Sequence, residues 1–589
     1  MKSGRLEDKI MIRTFSTHRV RKQRELTGSI WYFSPMSECE HSNKKVSTFG
    51  EDKEKRYPVV TPCCWENLPG FGNYRGEGEY TTTFFAEGTI RLEFKGVSHT
   101  ATVFLDGEKI ADHYNAYTAF DAVVRGLEVG MHTLTVRADN RFSEDSALHI
   151  PNDYMSYGGV SRPVVAEQID DLYIRSVHVT PFREEEEGRE IWYAKVEVVL
   201  KNIGDCDIRA DVSAKLAGRE LVWEKVIVSG GEEFVLRKTE KFGENTDRSD
   251  CGENIRTWTP EHPNLYSVEI SVIRGGIVTD DLIDRFGFRE VEVKGKDILL
   301  NGEKIRIRGL CRHEDHPQFG CALPYEAMAA DLQIIQDLGA NSVRTAHYPN
   351  DERFLDLCDE LGILVWEENH ARGLSEEDMG NPNFELQAER VIEEMITAHY
   401  NHPSIYIWGI LNECASDSEY GKECYEKQFA LIRRLDNSRP CSFASCKFKT
   451  DICFGLPDVV SYNIYPLWYH DTPVAEYLDD LYQWIQSETE GKDKPFLVTE
   501  IGAGGLYGYR NPYHSKWTEE YQAEALEQQI SAVMNYENCS GVYIWQFCDI
   551  RVSEEWFGGR PRTMNNKGVV DEYRRPKLCY DVVKRLFKE

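Results

Sequence analysis

The hydrophobic pattern of the chain changes at about Lys294, and this change constrains the fold more than any other feature. Before Lys294, apolar and polar residues alternate with a period of two, as in half-buried β-strands. After it, strand-like and helix-like segments alternate to residue 589. This second part has close to 300 residues, the size of one (β/α)8 barrel. We therefore predict a multidomain β and α/β protein with a C-terminal TIM barrel over residues 291–589.

Two β-rich domains are predicted ahead of the barrel. Runs such as TIRLEFKG and MHTLTVRAD, separated by turn residues, predict a jelly-roll β-sandwich resembling sugar-binding domains over residues 25–178. Runs such as AKVEVVLKN and LYSVEISVI predict an immunoglobulin-like β-sandwich over residues 179–290. Residues 1–24 are basic and polar, so we expect a flexible N-terminus there.

Composition excludes several classes of function. The chain has 69 basic and 99 acidic residues, and a net charge of −30 opposes binding to nucleic acid. The sequence has no long apolar run, so we expect no membrane partner, and it has no secretory signal, so we expect a cytoplasmic protein. The 16 cysteines are scattered and lack zinc-type spacing, so we expect reduced thiols, no metal and no cofactor.

Two apolar strands of the predicted barrel end in glutamates. Ile405–Glu413 ends in Asn412 and Glu413, and Pro495–Glu500 ends in Glu500. Polar residues at the ends of barrel strands are candidates for an active site. Two carboxyl groups about 5–5.5 Å apart perform retaining glycoside hydrolysis, and a wider gap gives inversion.

A single carboxylate at a strand end has a simpler explanation, because many such groups cap helices or bind backbone amides. The aromatic residues near these strand ends favour a sugar site, since aromatic faces pack against sugar rings: they are Trp408, Tyr465, Tyr469 and Trp545.

Asn401-His-Pro-Ser-Ile, followed by Trp408 and Asn412-Glu413, resembles the acid/base signature of glycoside hydrolase family 2. The order of the three domains resembles that family too. The resemblance implies that Glu413 is the general acid/base, that Glu500 is the nucleophile and that Asn412 holds the 2-hydroxyl of the sugar. The mechanism then requires a protonated Glu413 and an ionised Glu500 at neutral pH.

Within the family, motifs such as GLCRHED, ANSVRTAHYP and Asn565-Asn-Lys567-Gly resemble bacterial β-glucuronidases. That resemblance implies that Asn565 and Lys567 bind the C6 carboxylate of a uronic acid. In isolation, NNKG is more typical of a turn. Arg560 and Arg562 are further candidates for the carboxylate, and we carry Arg562 as the predicted contact although its spacing differs by one residue from the glucuronidase pattern.

Several weaker assignments follow from the same resemblance. Asp153 of the first domain would hold the 4-hydroxyl, or would simply cap a turn. Trp545 would form the floor under the ring, and four further residues would line the pocket: His313, His347, Tyr465 and Tyr469.

Arg372 departs from the glucuronidase pattern. It would either pair with Glu367 or Glu368, or donate to the sugar's hydroxyls or carboxylate. A hydrogen-bond donor there could bind an axial 4-hydroxyl. Galacturonides differ from glucuronides only in the configuration at this carbon. The segment after Arg372 is short, which predicts a wide entrance and tolerance of large leaving groups.

We predict a retaining exo-β-glycosidase that acts on small glycosides and releases glucuronic acid from β-D-glucuronides. A β-D-galacturonidase, or an enzyme accepting both sugars, is the alternative. A family 2 enzyme for neutral sugars, such as a β-galactosidase, would leave Asn565 and Lys567 without a role. A non-catalytic carbohydrate-binding protein would lack one of the two glutamates. Family resemblance also implies a homo-oligomer, a dimer or tetramer.

Overall fold

The computed structural model describes residues 18–36, 56–245, 254–556 and 558–589. Residues 1–17 of the predicted flexible N-terminus therefore lie outside the described residues. Within the described part, no helix is long and apolar enough to cross a membrane.

The first domain is an antiparallel β-sandwich. Strand β5 alternates inward and outward residues over most of its length and pairs with β9 from Glu77↔Asp139 to Phe94↔Phe120. The main sheet has the order β1-β11-β5-β9-β7-β8, with β2 and β3 attached, and a second sheet has the order β4-β10-β6. The elements are β1 (Lys22–Glu25), β2 (Ile30–Pro35), β3 (Tyr57–Val60), β4 (Cys63–Cys64), a 3-10 helix (Trp65–Asn67), β5 (Glu77–Phe94), β6 (Val97–Ser98), β7 (Thr100–Leu105), β8 (Glu108–Tyr114), β9 (Phe120–Asp139), β10 (Gly159–Val160) and β11 (Val164–Gln168).

The second domain is a sandwich of two sheets, β12-β13-β16 and β15-β14-β17-β18, packed around Trp192. Its first strand begins at Leu172, so the predicted boundary at residue 178 falls inside a strand. The elements are β12 (Leu172–Glu186), β13 (Arg189–Asn202), β14 (Ile208–Leu216), β15 (Arg219–Val228), β16 (Glu233–Lys241), β17 (Tyr266–Arg274) and β18 (Ile277–Phe286).

A closed barrel of eight parallel strands forms the third domain, with a small sheet, β19-β20-β21, ahead of it. The strands are β19 (Val291–Lys294), β20 (Asp297–Leu300), β21 (Glu303–Lys304), β22 (Ile307–Arg312), β23 (Ser342–Thr345), β24 (Leu364–Glu368), β25 (Ile405–Ile410), β26 (Cys441–Ser445), β27 (Val459–Asn463), β28 (Phe496–Ile501), β29 (Cys539–Ile544), β30 (Ile550–Arg551) and β31 (Met564–Asn565). The helices are α1 (Tyr325–Asp337), α2 (Glu352–Leu361), α3 (Glu376–Met379), α4 (Phe384–His399), α5 (Glu419–Leu435), α6 (Val474–Glu488), α7 (Glu519–Asn535) and α8 (Cys579–Lys588), with 3-10 turns at Glu554–Trp556 and Pro561–Thr563.

The barrel strands are buried because helices cover them outside and side chains fill them inside, and this explains their continuous apolar runs in the sequence. The predicted architecture of two β-rich domains followed by a TIM barrel is confirmed.

The first domain docks on the barrel through buried contacts, and this docking places its 152–159 segment at the barrel mouth. Tyr117 stacks on Tyr348 with ring centroids 3.8 Å apart. Arg162 donates to Glu314 at 2.8 Å, and both side chains are buried. Asp153 thereby reaches the site from a different domain.

Residues 18–24, which the sequence analysis placed in a flexible N-terminus, include a side chain with buried contacts. The Arg21 side chain is 1% exposed and pairs with Glu167 at 2.9 Å and with Asp280 at 2.8 Å. Glu167 belongs to the first domain and Asp280 to the second, so Arg21 joins the two sandwiches. Arg21, one of the basic residues that suggested flexibility, instead pairs with two buried carboxylates.

We expect Arg21→Ala to lower the free energy of unfolding by about 3–5 kcal/mol, because it removes the arginine that pairs with buried Asp280 and leaves Glu167 with Arg91 as its arginine partner. Arg19→Ala is the matched control: Arg19 lies two positions away, is 61% exposed and pairs with Glu269 at 2.6 Å. Its loss should cost less than about 1 kcal/mol. Urea unfolding followed by tryptophan fluorescence measures both; equal midpoints for the two variants would contradict the role of Arg21.

Candidate active site

Asn412 and Glu413 lie just beyond the end of β25, where the chain turns sharply. Leu411 has a φ of 48° and Glu413 a φ of 53°. These left-handed conformations cost roughly 1–2 kcal/mol each for residues with a side chain, so the fold must enforce them. Glu413 N–H donates to the carbonyl of Ala444 at 2.9 Å, which helps to fix the turn.

Glu500 lies within β28, and hydrogen bonds connect it to the neighbourhood of Glu413. Asn463 Nδ2 donates to Glu413 Oε1 at 3.0 Å and to Asn412 Oδ1 at 3.1 Å. Tyr465 OH donates to Glu500 Oε2 at 2.5 Å. The structure therefore brings both glutamates, Asn412 and Tyr465 to one end of the barrel.

Arg344, at the end of β23, is the hub of these contacts and is fully buried. It donates to Glu500 Oε1 at 2.9 Å, to Asn412 Oδ1 at 2.8 Å and to Glu368 Oε2 at 2.9 Å. Because Asn412 Oδ1 accepts these bonds, its Nδ2 amide is left buried without a partner in the described residues. That donor is available for a substrate hydroxyl.

Burial, followed by the negative charge of Glu413, raises the pKa of Glu500 to about 7, while Arg344 and Tyr465 oppose the rise. This differs from the expectation that Glu500 is fully ionised at neutral pH. Near pH 7, protonated and ionised forms of Glu500 are therefore both populated.

Arg372 faces Glu413 and the first domain. It donates to Asn152 Oδ1 at 2.6 Å, and its Nη2 lies 3.5 Å from Glu413 Oε2. Of the two alternatives for Arg372, the structure does not show the pairing with Glu367 or Glu368: Glu367 bonds His399 at 2.8 Å and Glu368 bonds Arg344. Arg372 therefore places a cation beside the candidate acid/base.

Arg560 binds Asp153 in a bidentate manner, through Nε to Oδ1 at 2.8 Å and through Nη2 to Oδ2 at 2.5 Å. Asn565 Nδ2 donates to the same Asp153 Oδ2 at 3.0 Å. Asp153 is thus part of a charged cluster between two domains. Its contacts with Arg560 and Asn565 go beyond those of a residue that only caps a turn.

The choice of Arg562 was wrong. Its side chain is 54% exposed and pairs with Glu572. Arg562 has a φ of 62° and the next residue, Thr563, a φ of 55°. This left-handed turn directs Arg562 away from Asp153 and leaves Arg560 as the cation at the site.

Lys567 is 2% exposed and donates to Tyr469 OH at 3.1 Å. Its Nζ also lies 5.7 Å from the ring centroid of Tyr465 and 5.3 Å from that of Tyr469. Among the residues that the structure describes, no carboxylate forms an ion pair with Lys567, and burial lowers its pKa. Burial raises the pKa of Tyr469, but the charges of Lys567 and Arg560 outweigh it and hold that pKa below its usual value.

The two predicted histidines lie together beneath the mouth. His347 stacks on Trp545 with centroids 4.9 Å apart, and His313 meets the edge of Trp545 at 5.3 Å. Burial is the main cause that lowers the pKa of each histidine, so both are neutral at pH 7. His347 Nδ1 donates to Glu368 at 2.8 Å, and His313 Nε2 is buried without a described partner.

Sequence reasoning did not assign a role to Asn463, or to Arg344, although Arg344 lies in the quoted motif ANSVRTAHYP. The available signal for Arg344 was an arginine inside the predicted barrel strand SVRT, because a charge buried in a barrel strand needs carboxylate partners.

Asp356, Asp359 and His402 are close enough together to hold a cation. Arg285 Nη2 already lies 2.8 Å from Asp356, and His402 lies 2.6 Å from Asp359. Burial lowers the pKa of His402, but Asp359 outweighs it and raises this pKa to about 9, so the histidine is itself cationic. Two positive groups neutralise the two carboxylates, and this cluster does not fit a metal ion.

Two comparisons with curated sequences identify related proteins. The chain is 27% identical over 528 residues to a putative beta-glucuronidase of Formosa agariphila, covering 84% of this chain but only 61% of that protein. It is 27% identical over 525 residues to a beta-glucuronidase of Streptococcus agalactiae, covering 82% of this chain and 84% of that one.

A solved structure is more similar. The GH2 beta-galacturonidase from Eisenbergiella tayi, bound to galacturonate, is 56% identical with a TM-score of 0.91, covering 98% of this chain and 99% of that one. Residues 172–289 match the description "Glycosyl hydrolases family 2", and residues 291–589 match its TIM barrel domain. Since these matches cover well over half of the sequence, the chain belongs to glycoside hydrolase family 2.

Proposed function

We propose that this protein is a retaining exo-β-D-uronidase that releases galacturonic acid from β-D-galacturonides. The sequence analysis placed glucuronides first. The 56% identity to a beta-galacturonidase along almost the whole chain supports galacturonides instead. Relatives named beta-glucuronidase at 27% identity keep β-D-glucuronides as the second candidate.

Lys567 is the observation that carries the proposal. A buried ammonium without a carboxylate partner is costly, and its pKa is already lowered by burial. The C6 carboxylate of a uronide supplies the missing anion and can accept from Lys567, Asn565 and Arg560. A neutral sugar would leave the lysine uncompensated.

The two glutamates divide the chemistry into two displacements. In the first, Glu413 donates a proton to the glycosidic oxygen while ionised Glu500 attacks the anomeric carbon, and the bond to the leaving group breaks. In the second, Glu413 takes a proton from water, the hydroxide attacks the anomeric carbon, and Glu500 leaves as a carboxylate. Arg344 and Tyr465, which donate to Glu500, stabilise that carboxylate.

Arg372 supports the preference for galacturonides. Its contact with Asn152 holds the guanidinium at the mouth beside Glu413, with further donors available. An axial 4-hydroxyl can accept one of them, whereas the equatorial hydroxyl of a glucuronide projects in another direction.

We also propose that the protein is cytoplasmic and, from family resemblance, that it forms a homo-oligomer.

Replacing the cations of the uronate pocket should change substrate choice. We expect Lys567→Gln and Arg560→Gln each to lower kcat/KM for an aryl β-D-galacturonide by about 10–100-fold, because each removes a charge-assisted bond to the carboxylate. Activity on the matched aryl β-D-galactoside should change by less than about threefold for Lys567→Gln. Initial rates from the released chromophore measure both.

Arg562→Gln is the matched control, since Arg562 lies two positions from Arg560 and pairs with Glu572 outside the pocket. It should leave both activities unchanged. If Lys567→Gln reduced uronide and galactoside hydrolysis equally, carboxylate recognition by Lys567 would be refuted.

The pH profile reports the ionisation of Glu500. Only its ionised form attacks, so kcat/KM should fall as pH drops through about 7. Glu413→Gln removes the negative charge that helps to raise this pKa, so the acid limb should move to lower pH. Both proteins are assayed on a dinitrophenyl galacturonide, whose leaving group needs no proton from Glu413, so that the ionisation of Glu500 alone sets the acid limb whatever the protonation state of Glu413.

Asp417→Asn controls for a general loss of negative charge, since Asp417 pairs with Lys447 at 3.5 Å and not with either glutamate. Its acid limb should match that of the unmodified protein. An acid limb that stays in place in Glu413→Gln would rule out the coupling between the two glutamates.

A further inference from the structure

Cys64 and Cys321 form a buried thiol pair between the first domain and the barrel. Their Sγ atoms lie 3.5 Å apart, although the residues are 257 positions apart in the chain. Cys64 is fully buried and Cys321 is 7% exposed. The described cysteines are all free thiols.

The surroundings of the pair are apolar and tightly packed. Met155, Tyr157 and Ala322 complete its small cluster. Gly320 shows how close the two domains come: a Cβ at this position would lie 2.9 Å from the Tyr157 ring and 3.1 Å from Cys64 Sγ, and its φ is 59°. The close approach of the two sulfurs is therefore held by packing on both sides.

Each cysteine is continuous with a segment that lines the active site. Cys64 in β4 pairs with Gly159 in β10, at the end of the segment that carries Asp153. Cys321 lies in the loop that follows β22, and His313 lies at the start of the same loop. Tyr157 OH donates to Asp315 Oδ2 at 2.8 Å and links the two segments directly.

We propose that Cys64 and Cys321 are a site of oxidative cross-linking, at which a peroxide joins the first domain covalently to the barrel. One thiolate attacks hydrogen peroxide to give a sulfenic acid, and the other oxygen leaves as water after taking up a proton. The second thiol then attacks the sulfenic sulfur, which forms the S–S bond and releases a second water. Two sulfurs are oxidised and one peroxide is reduced.

Burial, followed by the hydrogen bond with Cys321, raises the pKa of Cys64 well above its usual value. Because the thiolate is the reactive form, oxidation should be slow at neutral pH and faster at higher pH. Cys206 and Cys446, which are exposed, are further targets for peroxide and must be distinguished by peptide mapping.

The cross-link should stabilise the two-domain site. It closes a loop of 257 positions, and constraints of that length reduce the entropy of the unfolded chain substantially. We expect the oxidised protein to have a Tm higher by about 4 °C or more, and reduction by dithiothreitol to reverse this gain.

The test uses the full chain, incubated with hydrogen peroxide at pH 8.5 and digested without reduction. The expected result is a peptide pair joining Cys64 to Cys321, two hydrogens lighter than its components, together with the rise in Tm. Cys321→Ser replaces the sulfur by a smaller oxygen that cannot form the cross-link and should remove both; Cys446→Ser should remove neither.

A Tm gain that persists in Cys321→Ser would overturn the proposal. So would a digest in which Cys64 and Cys321 remain thiols while Cys446 is oxidised, or one in which Cys63 replaces Cys64 in the cross-link. These readouts do not depend on the substrate of the enzyme, so the proposed function and this proposal can fail separately.

Discussion

The buried guanidinium of Arg344 organises the centre of the barrel. A cation at this depth is tolerated only when carboxylates and other acceptors surround it, and Arg344 has Glu368, Glu500 and Asn412. Each partner is thereby fixed by the same group. Asn412 is oriented with its amide hydrogens free, and Glu500 is held with two donors on its oxygens. Arg344 also positions His347 indirectly, because His347 donates to Glu368 and Arg344 holds Glu368 in place.

The cations at the site are opposite in sign to the net charge of the whole chain. A net charge of −30 repels an anionic sugar at long range, but salt screens most of that field beyond about 8 Å. At contact, Lys567, Arg560 and Arg372 determine the potential. Arg560 is balanced by Asp153 and Arg372 lies near Glu413, so Lys567 provides the unmatched positive charge.

The sequence predicted those features that depend on local pattern. Apolar strands ending in polar residues identified the barrel, and Glu413 and Glu500 follow from the same pattern together with family resemblance. Features that depend on the path of a loop or on a distant domain could not be read in this way. Arg560 and Arg562 differ by two positions, and only the left-handed turn at Arg562 decides which one faces Asp153. For Arg372 the sequence left two alternatives, a neighbouring glutamate or the sugar, and could not show its partner Asn152, which lies 220 positions away. The N-terminal segment was judged flexible for the same reason, since the carboxylates that bind Arg21 belong to two other parts of the chain.

The position of Asp153 affects how this protein can be divided. Family descriptions separate the chain at domain boundaries, and the barrel over 291–589 looks like a self-contained catalytic module. Asp153, however, arrives from the first sandwich and binds both Arg560 and Asn565 of the barrel. An excised barrel would keep both glutamates and lose the acidic group that balances Arg560. Recombination between relatives would therefore have to exchange the first sandwich and the barrel together to keep these contacts.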